Sequence, residues 1–110
     1  MHAPTIAELL AHPLVQAALD QAWIDSLPLD AARRHEEGGW VYMNALTGTI
    51  SIQRAPVGGQ ATLDISNPPI VAGSVVVATF HIYPNPRRKA GSRGQALRTR
   101  CRPISSECPA

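Results

Sequence analysis

Gly39-Trp40-Val41-Tyr42-Met43-Asn44-Ala45-Leu46-Thr47-Gly48-Thr49-Ile50-Ser51-Ile52-Gln53-Arg54 is the stretch on which the fold turns. Its first part is aromatic and β-branched, and Thr49 to Arg54 alternates polar and apolar side chains strictly. That two-residue period belongs to a strand with one buried face. Between the two runs, Asn44 to Gly48 has the composition of a turn. The pattern predicts a β-hairpin in which Trp40 and Tyr42 point the same way and serve packing rather than ligand stacking.

Reading outward toward the carboxyl end, Pro56-Val57-Gly58-Gly59 predicts a loop. Ala61 to Ser66 alternates again and predicts a further extended segment, and Asn67-Pro68-Pro69 predicts a turn. Ser74-Val75-Val76-Val77-Ala78-Thr79-Phe80-His81 is continuous and rich in β-branched residues. Such a run suits a central strand covered on both faces. His81 then stands where a rigid strand hands over to a loop. After Pro86 the apolar periodicity stops, and Arg, Gly, Ser and Pro dominate. Residues 87–110 are therefore expected to form a disordered basic tail.

Reading outward toward the amino end, Thr5 caps a short helix carrying Ile6, Leu9 and Leu10. His12-Pro13 interrupts it, because a residue before proline disfavours the α region. Pro13 suits the first turn of a second helix, expected to run to Ser26 with Val15, Ala18, Leu19, Ala22 and Trp23 on one face. Leu27-Pro28-Leu29-Asp30 ends that helix. The expected fold class is α+β: amino-terminal helices within residues 5–26 packed on a small mixed or antiparallel sheet within residues 39–82. Residues 1–86 form the domain and 87–110 the tail.

A chain of 110 residues with 45% hydrophobic content has room for one modest core. No run approaches the ~18 apolar residues of a membrane span, and the amino terminus lacks the order of a secretory signal, so a cytoplasmic location and no membrane partner are expected. Cys101 and Cys108 are spaced poorly for zinc and read as free thiols. The net charge of +2 conceals an asymmetry. Residues 1–86 hold three Arg against seven acids, or −4, whereas 87–110 hold seven basic residues against Glu107, or +6.

His35-Glu36-Glu37-Gly38-Gly39-Trp40-Val41-Tyr42, followed by the hairpin, by Thr79-Phe80-His81 and by Ile82-Tyr83-Pro84, resembles the front half of a JAMM (JAB/MPN) zinc metallopeptidase domain. Such domains place a glutamate before the glycine that opens the first strand, then a central strand ending in His-x-His-Pro, then Ser-x-x-Asp. Two histidines and the aspartate hold zinc, and His-x-His on an extended chain turns both imidazoles to one ion. The zinc-bound water ionises near neutral pH, the glutamate moves the proton and the serine steadies the oxyanion. The resemblance implies hydrolysis of peptide or isopeptide bonds, with a peptide or protein as substrate or partner. It makes Glu36 the acid/base, with Glu37 as the fallback, His81 the first zinc ligand and Ser92 the oxyanion group. Tyr83 stands in the place of the second histidine and Gln95 in that of the aspartate. A phenol and a neutral amide replace imidazole and carboxylate poorly. The resemblance therefore implies a degenerate, inactive relative in which zinc is weak or absent. The abrupt change after Pro86 is what a truncated or frame-shifted product would show.

Plainer readings accompany each of these residues. His81 also reads as a hydrogen-bonded structural histidine, Glu36-Glu37 as solvated acids beside Arg33 and Arg34, and His35 as exposed. A non-catalytic binding or scaffold module of the same fold is the alternative function. A nucleic-acid binder acting through the basic tail is a further one, though that tail has no aromatic residue to stack a base.

Overall fold

A computed structural model describes residues 3–59 and 62–84, together with the backbone of 95–99. It contains two helices, α1 (Ile6–Leu10) and α2 (Pro13–Asp25), and four strands, β1 (Glu37–Asn44), β2 (Ile50–Arg54), β3 (Ser74–Ile82) and β4 (Gln95–Thr99). The strands form one sheet in the order β2-β1-β3-β4, with every neighbouring pair antiparallel. The α+β arrangement expected from the sequence is thus present, and its sheet is antiparallel throughout.

The helices begin where the local chemistry says they should. Glu8 N donates to Thr5 Oγ1 at 3.1 Å while Thr5 N donates to Glu8 Oε1 at 3.0 Å, a reciprocal cap on α1. His12 caps α2 by accepting from Leu14 N through Nδ1 at 3.2 Å, and Pro13 occupies its first turn. Beyond Ser26, Leu27 takes a left-handed conformation at φ 54° and Pro28 follows, so the ladder stops.

Val15, Leu19 and Ala22 on α2 join Leu9 of α1 against Val41, Ile50, Val77, Ala78, Phe80 and Ile82 on one face of the sheet. Ala18 and Trp23 pack beside them, which completes the stripe read from the sequence. The opposite face carries Trp40 and Tyr42, covered by Ala55, Leu63, Ile65 and Val71 from the long β2–β3 connection. Trp40 Nε1 donates to Ile65 O at 3.1 Å and the Tyr42 hydroxyl to Pro69 O at 2.5 Å, so both aromatic side chains grip that connection by its carbonyls. β3 is an inner strand, buried on the helix side at Ala78, Phe80 and Ile82, whereas its other face is only partly covered and Val75 near its start is half exposed.

Three features depart from the sequence reading. Thr62 to Ser66 is not a strand: it crosses the Trp40/Tyr42 face instead of joining an edge, so its alternating Leu63 and Ile65 bury by packing and not by pairing. A bulge sets Val41 opposite Ala78 but Tyr42 opposite Val76, leaving Val77 as the extra residue. Val77 and Ala78 consequently both join the core on the helix side. Finally, residues 95–99, assigned above to a disordered tail, form β4, with Leu97 opposite Phe80 and Gln95 opposite Ile82. The physical reason is the second edge of β3, whose backbone groups need a partner that composition does not reveal. The rest of the expected tail, with Ser92, Cys101 and Cys108, lies outside the described residues.

Candidate functional site

Glu36 and Glu37 are adjacent at the entry to β1, and alternation sends their side chains to opposite faces of the sheet. Both are buried, at 4% and 5% exposure, so neither is the solvated acid that the neighbouring arginines suggested. Each is drawn inward by a different partner.

Glu36 goes to the face that holds His81. His81 pairs across the ladder with Gly38, and Glu36 lies two residues before Gly38 on the same side, the diagonal position from which long side chains meet. Gly38 has no side chain to stand between them, and a Cβ there would collide with Phe80 O and with the Leu63 side chain. Glu36 Oε1 consequently reaches to 3.9 Å from His81 Nδ1. Glu36 is fixed by its backbone as well: its N–H donates to Gly59 O at 2.8 Å and its carbonyl accepts from Gly58 N at 3.0 Å. Gly58 permits that approach, because a Cβ on it would press against Thr62 O and Glu36 O.

Tyr83, two residues beyond His81, turns to the same side. Its hydroxyl lies 3.1 Å from His81 Nδ1, and the two rings are 5.6 Å apart at 57°. Carboxylate, imidazole and phenol thus meet at one ring nitrogen, with the imidazole side chain 24% exposed and the carboxylate 6%. The group can exchange a proton and can hydrogen-bond a polar ligand at the exposed rim.

Glu37 goes to the helix face instead. Its Oε1 accepts from Arg54 Nη2 at 2.6 Å and its Oε2 faces His35 Nε2 at 2.5 Å, while Arg54 Nη1 reaches Asp25 at 3.1 Å. His35 is not exposed as expected: its side chain is 18% accessible and is held within this charged chain. Sequence reasoning missed the chain because its four members come from α2, the α2–β1 segment, β1 and β2. The one local signal was the i, i+2 spacing of His35 and Glu37.

Comparison with known proteins gave no matching family model, no matching curated protein and no matching solved structure. Tyr83 hydrogen-bonds His81 directly, and Gln95 begins β4 opposite Ile82. Among the described residues, no three His, Cys, Asp or Glu side chains gather as a metal-holding group. No helix among them is long and apolar enough to cross a membrane.

Proposed function

We propose that the chain is a degenerate relative of the JAMM zinc metallopeptidases, hydrolytically inactive, that keeps the acid/base Glu36 and the first-ligand His81 but has replaced the rest of the cage. Its remaining role is that of a cytoplasmic, non-catalytic module that holds a peptide or protein partner. The observation supporting the kinship is the 3.9 Å approach of Glu36 to His81 across β1 and β3. These residues lie 45 apart in sequence, and the β1–β3 register brings together the two that the family pattern pairs. The inactivity is supported by a phenol and an amide at the other two ligand positions, both weak zinc donors.

The test is reconstruction of the cage. Tyr83→His restores the second imidazole on the face that holds His81 and Glu36, so the variant should take up zinc and lose it again on His81→Ala. The unmodified protein should take up no stoichiometric zinc and hydrolyse neither peptide nor isopeptide substrates in its presence. A folded Tyr83→His variant with no gain in zinc removes the kinship. Stoichiometric zinc and hydrolysis in the unmodified chain, both lost on His81→Ala, would instead make it a working enzyme.

A further inference from the structure

His35 lies between α2 and β1, and each of its ring nitrogens meets an acceptor. Nδ1 is 2.9 Å from Arg33 O and Nε2 is 2.5 Å from Glu37 Oε2. A backbone carbonyl cannot donate, nor can a carboxylate whose other oxygen is held by Arg54 at 2.6 Å. A neutral imidazole carries one N–H, so it satisfies one contact and leaves the other as two opposed lone pairs. The imidazolium carries two and satisfies both.

The surroundings favour the charged form. The bond to the Arg33 carbonyl is the largest influence holding the His35 pKa above its ordinary 6.5; burial opposes it, and Glu37 and the Asp25 carboxylate assist. The charged groups facing the ring are Glu37 from β1, Arg54 from β2 and Asp25 from the end of α2, with Arg33 and Arg34 in its own segment. Arg54 offsets part of the charge on both carboxylates, and Glu37 and Asp25 still raise the His35 pKa.

The same segment delivers Glu36. His35 N donates to Ser26 O at 3.0 Å, and Glu36 N then donates to Gly59 O. With Glu37 locked onto the helix face, alternation leaves Glu36 no choice but the face of His81. We propose that His35, as an imidazolium, is a positioning residue for the Glu36–His81 pair: its two hydrogen bonds lock the entry into β1, and loss of its proton frees one of them and loosens the placement of Glu36. This rests on the reading of Glu36 and His81 as the remnant site.

The test is an NMR titration of the whole chain labelled with ¹⁵N, following the His35 ring nitrogens and the Glu36 amide together. Both His35 nitrogens should carry protons at low pH, the ring should titrate above 6.5, and the Glu36 amide should shift with the same midpoint. In His35→Gln that step in the Glu36 amide should be lost. A flat Glu36 signal across the His35 titration overturns the proposal. So does a step that persists unchanged in His35→Gln, since it would then belong to His81. If His35→Gln does not fold, Glu37→Gln decides: the His35 midpoint should fall, and the Glu36 step must move with it or the proposal is overturned. Zinc uptake by the reconstructed cage is a separate readout, so failure of the metallopeptidase kinship and failure of this coupling are distinguishable.

Discussion

Replacing Glu37 by alanine should cost far more stability than replacing its neighbour Glu36, although the two are indistinguishable by type and nearly equally buried. Glu37→Ala removes a hydrogen bond to Arg54 at 2.6 Å and one to His35 at 2.5 Å. Bonds between charged partners contribute roughly 1.5–3 kcal/mol each. Arg54 keeps Asp25 at 3.1 Å and is 29% exposed, and His35 keeps the Arg33 carbonyl, so neither is left as an isolated buried charge. The lower end of the range therefore applies, about 3 kcal/mol in all. Unfolding entropy near 2.1 cal/mol/K per residue gives about 230 cal/mol/K for 110 residues, so the melting temperature should fall by about 13 °C. Glu36→Ala removes a carboxylate 3.9 Å from a partly exposed imidazole and leaves its backbone bonds to Gly58 and Gly59 intact, which sets its cost at about 1 kcal/mol, or about 4 °C. Paired thermal melts by circular dichroism at neutral pH measure both. Equal losses, or a larger loss for Glu36→Ala, would refute the assignment of Glu37 to the scaffold and Glu36 to the site.

Stability should also depend on pH through His35. Its folded pKa is raised above 6.5, so its contribution is complete below 6.5 and is lost as pH rises through the higher folded value. Urea midpoints measured from about pH 6 to about pH 9 should decline more steeply for the unmodified chain than for His35→Gln, and parallel profiles would contradict this. Phe80→Ala opens the centre of the helix-side core, where Phe80 is 1% exposed, and should cost about 3–5 kcal/mol. Chemical denaturation checks it, and a loss near zero would mean that the two helices do not seat on β3 as described.

Glu36 shows how far local reading carries and where it stops. The hairpin, β3 and both helices were legible because each rests on a signal contained within a few residues: alternation in Ile50 to Arg54, a β-branched run at Ser74 to His81, Thr5 as a cap, and prolines at 13 and 28 as punctuation. Once β1 is seen to start at Glu37, alternation sends Glu36 and Glu37 opposite ways. It could not tell which of them faces His81, since that depends on the register of β1 against β3 and on Gly38 lying opposite His81. Equally illegible were the Val77 bulge, which shifts a residue between faces, and the charged chain from Asp25 to His35.

Sequence by itself determined the periodic elements, their caps and breaks, and the residue types available for chemistry. Tertiary structure decided the rest: Gln95–Thr99 as a fourth strand, Thr62 to Ser66 as a cover over Trp40 and Tyr42, and the meeting of Glu36 with His81. The physical reason is range. Backbone propensity and capping act over three or four residues, whereas open strand edges and sheet faces are satisfied by whichever distant segment reaches them, a partner that no local pattern specifies.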